Sequence, residues 1–299
     1  MSHAVLSDTE QFVLPTSVKT NFYYSFSFLP KEERNAINTV YAFCRQIDDI
    51  VDENSSLDAD IILRKRERLQ WWRNEIENLY AGAPVQTLLI PLSTVIKNFT
   101  IPKQYFLTLI DGCERDLVQR NYQTFDDLKT YCYSVASIVG LISIEIFGYK
   151  YEETKEYAIN LGYALQLTNI LRDIKHDKNR GYIYIPQEDL ERFHLTQEDI
   201  QNEVYDERFI QLMSFQARRA REYYNKARMA LRADERITMF AAEIMDAIYY
   251  RLLEKIELKD FNVYSKKKIS VATIHKIWIA LKLWMYTRIM VRRVKESES

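Results

Sequence analysis

Residues 29–53 read LPKEERNAINTVYAFCRQIDDIVDE. Pro30 precedes a run with Glu32 and Glu33 in its first turn. That arrangement opens an α-helix, because proline needs no amide partner there and acids complement the helix dipole. Ile37, Val40, Cys44, Ile47 and Val51 recur at spacings of three and four and make one apolar stripe. Tyr41, Arg45, Asp48 and Asp52 also share a helical face, with Asp49 beside it, and this face opposes much of the stripe. A Ser/Asp segment at 54–60 ends the helix.

The same reading extends in both directions. Helices are predicted over 62–80, 84–98, from Pro102 through Leu117, and over 125–147 and 151–177. After KNRGYIYIP (178–186) come helices over 203–232 and 237–257, a basic connection, and a last helix over 271–294. Residues 1–18 read as a weakly ordered arm, 19–294 as one helical domain and 295–299 as a polar tail. The chain of 299 residues has only 6 Gly and 6 Pro, with no Gly after Gly181 and no Pro after Pro186. Turn-rich sandwiches and propellers need far more of both, and no glycine cluster suits a dinucleotide fold. The fold class is all-α.

With 41 Lys plus Arg against 42 Asp plus Glu, the net charge of −1 gives no global reason to expect nucleic acid. Cys44, Cys113 and Cys132 are far apart and read as buried free thiols. The four histidines lack metal-ligand spacing. No signal peptide and no uninterrupted apolar membrane span is read, so the expectation is a cytoplasmic protein. The tail IHKIWIALKLWMYTRIMVRRVK (274–295) alternates bulky apolar residues with bases. It can close the core, or rest its outer turns on an anionic inner-membrane surface.

Two acidic faces carry the chemistry. Asp48 and Asp52, one turn apart with Asp49 adjacent, are either solvated surface acids or holders of a divalent cation. In LGYALQLTNILRDIKHDKNRGYIYIP (161–186), Gln166, Asn169, Asp173 and Asp177 lie at spacings of three, four and four. The rest of that helix is apolar, and Arg172, Lys178 and Arg180 flank the acids. Two acidic walls with bases suit a diphosphate bridged by magnesium, and an aromatic-lined cavity would protect an allylic cation from water. Phosphohydrolases use paired carboxylates too, and a metal-dependent prenyl phosphatase or a noncatalytic isoprenoid-binding protein stays open.

At these residues the chain resembles the squalene and phytoene synthase family, whose members join two prenyl diphosphates head to head. FYYSF (22–26) with Leu29-Pro30, Tyr41–Glu53, YCYSVASIVG (131–140) and Leu165–Pro186 match its motifs in order, over about Phe22 to Trp278. The resemblance implies an isoprenoid synthase fold around a central cavity. It implies magnesium on Asp48 and Asp52, supported by Asp49, with Asn169, Asp173 and Asp177 on the opposite wall. Arg45, Lys19 and Arg172 would contact diphosphate, with Lys178 and Arg180 following, and Tyr41 would position diphosphate or assist proton movement. Val135, Ala136, Val139, Gly140, Leu165 and Gln166 would shape the prenyl channel, with Phe22, Tyr24, Phe26 and Tyr131 as its aromatic lining. Lys266–Lys268 match a diphosphate-binding region loosely. Within the family, WWRNEIENLYAGAP (71–84) and YCYSVASIVGLISIEIFGY (131–149) look closest to bacterial presqualene diphosphate synthases of the hopanoid route, and the phytoene branch shares much of both. The first expectation is therefore condensation of two farnesyl diphosphates to presqualene diphosphate, with NADPH not needed for that half-reaction. The alternatives are phytoene synthase using geranylgeranyl diphosphate, and squalene or dehydrosqualene synthase. A downstream hopanoid or carotenoid enzyme is the implied partner. The cavity wall is expected to close at the shorter tail, through Phe22, Phe26 and residues 141–144.

Overall fold

The computed structural model describes residues 25–53, 56–83 and 86–297, and the side chains of these except Leu88 and 286–297. Lys19, Phe22 and Tyr24 therefore lie outside the described residues. Regular structure is helical, and among the described residues the only β-pairing is a single bridge between Asn121 and Ile183.

Helix α1 (Lys31–Asp52) starts where Pro30 predicts and buries Ile37, Val40, Ile47 and Val51. Helix α2 (Ala59–Ala81) is capped by the Asp58 carboxylate, which accepts from the amides of Asp60 and Ile61, and it ends on Gly82 in the left-handed region. Helix α3 (Ile90–Phe99) follows a short 3-10 turn, so its start lies later than the sequence suggests. Helix α4 (Lys103–Arg115) follows Pro102 and buries Phe106, Leu109, Ile110 and Cys113.

The predicted helix over 125–147 is interrupted. Helix α5 (Phe125–Cys132) opens on a capping box between Thr124 and Asp127, passes into a π turn at Tyr133–Ser137, and resumes as α6 (Ile138–Phe147). By length and hydropathy this run matches a membrane span, unlike the sequence expectation, yet 56% of its most apolar 18-residue stretch is buried inside the protein. Helix α7 (Glu153–Asn179) packs against α6 at contact distance. A methyl group at Gly162 would stand 2.5 Å from the Ser137 Cα, and one at Gly140 would stand 2.7 Å from the Ala158 carbonyl oxygen. No larger side chain fits either place without parting the helices.

Two short helices, α8 (Gln187–Arg192) and α9 (Gln197–Gln201), precede α10 (Glu207–Ala230), which packs along α7. Helix α11 (Phe240–Glu257) and the last helix, α12 (Thr273–Ser297), complete the fold. Cys113 and Cys132 are buried, Cys44 is half-buried, and all three are free thiols, as the sequence implies.

Candidate active site

A cavity runs between α1, α4, α6, α7 and α11 and holds about 1250 Å³ of space between protein atoms, its open mouth included. The pairing of Gly162 with Ser137 and of Gly140 with Ala158 makes α6 and α7 antiparallel, so depth is readable along each wall. Asp48, Gln166, Asn169 and Tyr249 lie toward the mouth; Ile37, Ile144, Phe147, Tyr157 and Ala242 lie deep. From Asn169 to Tyr157 the α7 wall advances about 18 Å at 1.5 Å per residue.

Tyr41, Asp48, Phe26, Val135, Ala136, Val139, Gly140, Leu165, Gln166 and Asn169 all line this space, as expected for a single pocket. Two details differ from the sequence reading. Ile37, Val40 and Cys44 line it beside Tyr41 and Asp48, so on α1 the acid shares the stripe's face instead of opposing it. Tyr131 does not line it. Its hydroxyl donates to Asp116 Oδ2 at 2.7 Å, and Tyr184 donates to the same oxygen at 3.2 Å. Asp116 Oδ1 has no partner, and burial pushes this carboxyl up to about 7 against the pull of the two tyrosines. Glu114, by contrast, pairs with Arg66 and Arg73 outside the cavity.

The α1 wall is strongly acidic. Protein crowding first, and then the Asp52 charge, push the Asp48 carboxyl up to about 6, although solvent reaches it through the mouth. Cys113 Sγ stands 3.5 Å from its Oδ1. Arg45 is turned outward to Asp49 at 2.7 Å, and Asp52 accepts from Arg180 at 2.5 Å. On the α7 wall, burial would raise Asp173, but the Arg172 guanidinium (2.5 Å) and the Lys268 ammonium (2.7 Å) hold its carboxyl below the usual range. Lys268 thus reaches the mouth from the loosely matched basic segment. Asp177, one turn on, is pushed up to about 6 by burial and by Asp173, with His176 at 3.4 Å. Lys178 is turned away, buried against Glu203 at 3.1 Å and the Gln201 carbonyl at 3.2 Å.

Residues 180–186 cross from the end of α7 to α1 and to the segment after α4. Arg180 ties to Asp52, the Ile183 amide donates to the Arg120 carbonyl at 2.8 Å, and Gln187 donates to the Tyr122 carbonyl at 2.8 Å. Arg120 lies 4.1 Å over the Tyr182 ring, which stacks on Tyr184. Sequence spacing alone did not find Leu109, Cys113, Met245 and Tyr249 in the lining, because they arrive from other helices, or Tyr157, which enters from the start of α7.

Among the described residues no three or more His, Cys, Asp or Glu side chains gather as a ready metal cluster. The donor set still suits magnesium. All candidates are hard oxygens, and Asn169 Oδ1 is buried with no partner. Magnesium also characteristically takes one or two carboxylates, leaving water and substrate phosphate to complete its shell.

The squalene/phytoene synthase sequence profile matches residues 16–275. The chain belongs to the squalene/phytoene synthase family. Family members are prenyltransferases of isoprenoid biosynthesis, use prenyl diphosphates and join them head to head, and the family's chemistry generally uses magnesium. Phytoene synthase of Arthrospira platensis is 35% identical over 262 residues, covering 82% of each chain. The 15-cis-phytoene synthase of a Synechocystis species is 34% identical over 281 residues, covering 90% of this chain and 82% of that one. Among solved structures, squalene synthase HpnC from Alicyclobacillus acidocaldarius superposes with a TM-score of 0.73 at 27% identity, over 81% of this chain and 89% of that one. A dehydrosqualene synthase solved with a ligand gives 0.76 at 26%, over 91% and 93%. The all-α family fold around a central cavity is thus the fold observed here.

Proposed function

We propose that this family member joins two geranylgeranyl diphosphates head to head, as a phytoene synthase does, with release of diphosphate. The observation that carries the reading is the long apolar channel, which runs three turns of α7 below an acidic mouth. The farnesyl-first expectation is reordered because the phytoene synthases reported above share more identity with this chain than the squalene-type structures do. Of the wall expected to close at the shorter tail, Phe26, Ser143 and Ile144 line the channel, whereas Leu141 and Ile142 turn into the core. Each extra buried methylene contributes about 0.8 kcal/mol where space exists.

Asp48 and Asp52 on α1, with Asp49 in support, and Asn169, Asp173 and Asp177 on α7 would hold magnesium. When bound, it supplies positive charge to the diphosphate oxygens. Arg172, Arg180 and Lys268 exchange their carboxylate partners for those oxygens. Tyr41 faces the reacting end and holds or moves a proton there. The rings of Phe26, Phe147, Tyr157 and Tyr249 line the path and offer their faces to cationic carbon. Residues 180–186 exclude water, which would otherwise quench the cation to an alcohol.

The test is a competition between farnesyl and geranylgeranyl diphosphates with magnesium and without nicotinamide, read by mass of the condensed product. Phytoene as the dominant product supports the reading. Presqualene diphosphate as the dominant product overturns it and restores the shorter substrate. Prenyl alcohol alone, or intact substrate, points to a phosphatase or a binding protein.

A further inference from the structure

Helix α12 has two unlike sides. Ala280 is buried, and Ile279 and Leu283 pack against the core. The other side carries Ile274, Ile277, Trp278, Leu281 and Met285 at spacings of three, one, three and four, all solvent-exposed, Ile274 to 70% and Trp278 to 61%. Elsewhere the exposed large apolar residues are scattered, as Met229 and Leu258 are. Charge is as uneven as polarity. Between Phe261 and Lys295 the chain carries nine Lys or Arg and no Asp or Glu, although the whole chain has a net charge of −1. Lys282 lies 5.4 Å over the Trp278 ring, at the border of the apolar stripe.

We propose that this outer side of α12 seats on an anionic lipid surface. An apolar stripe with a tryptophan, rimmed by bases and free of acids, matches the boundary between acyl chains and negative headgroups on both counts. The placement serves the cavity. α12 packs on α11, whose inner side supplies Ala242, Met245 and Tyr249 to the lining. Lys268, in the basic segment leading into α12, reaches Asp173 at the mouth. Two helices, α12 and α11, then stand between the lipid surface and the channel, their axes about 8–10 Å apart. Lipid binding goes beyond the proposed reaction and does not depend on it. A chain that binds vesicles but makes no phytoene leaves it standing.

The test is flotation of the full chain with phosphatidylcholine vesicles, with and without phosphatidylglycerol. Enrichment on the anionic vesicles and release by high salt are expected. Lys282→Gln should weaken binding about fivefold, one lysine's share of the surface attraction. Trp278→Ser with Leu281→Ser should weaken it at least about tenfold. Both variants should keep parental helicity, melting temperature and turnover on detergent-dispersed substrate, since neither position lines the cavity. A polarity-sensitive dye on Trp278→Cys should shift to the blue only when anionic vesicles are added. Equal flotation on both vesicle types, or on neither, overturns the proposal. A dye already blue in dilute protein overturns it in favour of cover by the chain's own residues; a concentration-dependent blue shift overturns it in favour of a second copy.

Discussion

Asp48 and Asp173 belong to the two acidic walls of one mouth, and their surroundings are opposite. Around Asp48 the nearest charges are mostly its own kind, and the carboxyl is pushed up to about 6. Around Asp173, Arg172 and Lys268 have already assembled, and the carboxyl is held low. The contrast lies between these two acids, since Asp49 and Asp52 on α1 already hold Arg45 and Arg180. Asp48 carries crowded negative charge that gains most when a cation arrives, whereas Asp173 is already neutralised. On the proposed function, Asp48 waits for the metal, and Arg172, Lys268 and Arg180 must leave Asp173 and Asp52 before they bind diphosphate.

The largest effect should come from removing each acid. Asp48→Ala and Asp173→Ala should each lower turnover about a thousandfold with magnesium and prenyl diphosphate. Their stabilities should move in opposite directions. Urea unfolding at pH 8 should show Asp48→Ala more stable by about 1 kcal/mol after solvent screening, because a crowded carboxylate no longer has to stay charged and the Asp52 repulsion is relieved. It should show Asp173→Ala less stable by about 2 kcal/mol, because Arg172 loses its buried partner. Shifts of the same sign would erase the contrast between the walls.

Gly162→Ala probes the distance between the walls without touching their charge. The added methyl meets Ser137 backbone, so α7 must move, costing about 1–3 kcal/mol in thermal unfolding and on the order of a hundredfold in turnover. Parental values for both would show that the helices yield freely there.

A smaller effect concerns protons. If these acids hold the metal as proposed, its binding displaces the protons that Asp48 and Asp177 keep below about pH 6. The magnesium concentration for half-maximal activity should rise roughly tenfold from pH 7.5 to pH 5.5. A flat dependence would place the metal away from both residues.

The smallest effect lies behind the mouth, at Asp116. Its folded carboxyl keeps a proton that the unfolded chain releases near pH 4, so its share of stability is full below that pH and is lost as pH rises to about 7. Asp116→Asn removes this slope, and its stability relative to the parent chain should improve by about 1 kcal/mol between pH 6 and pH 7. A constant difference would mean that Asp116 is ionised throughout.

Much of this arrangement was legible before any coordinates. Pro30 and Pro102 mark helix starts, the three-and-four spacing on α1 names most of its buried residues, and Asp48 of α1 shares one lining with Gln166 and Asn169 of α7. What escaped had no local signal. Tyr131 sits in a motif that suggests the channel, yet its position is decided by Asp116, fifteen residues earlier, and by Tyr184 in the segment after α7. Tyr157, Met245 and Tyr249 entered the lining because tertiary packing turned ordinary core faces toward the cavity. Lys178, grouped with Arg180 by proximity in sequence, turns the other way because Glu203 and the Gln201 carbonyl capture its ammonium.

The π turn at Tyr133–Ser137 also went unseen, since its five residues contain neither Gly nor Pro. It has an evolutionary consequence, because a π turn behaves like a single-residue insertion in an α-helix. Deleting one residue there would return the turn to α geometry and leave the faces on either side in register, whereas the same deletion in the regular stretch of α6 would rotate everything downstream by about 100°. In the first case Val139, Gly140 and Ser143 would stay on the channel. The turn is therefore the place in this helix pair where chain length can drift by one residue, and the regular turns beside it are where length is locked.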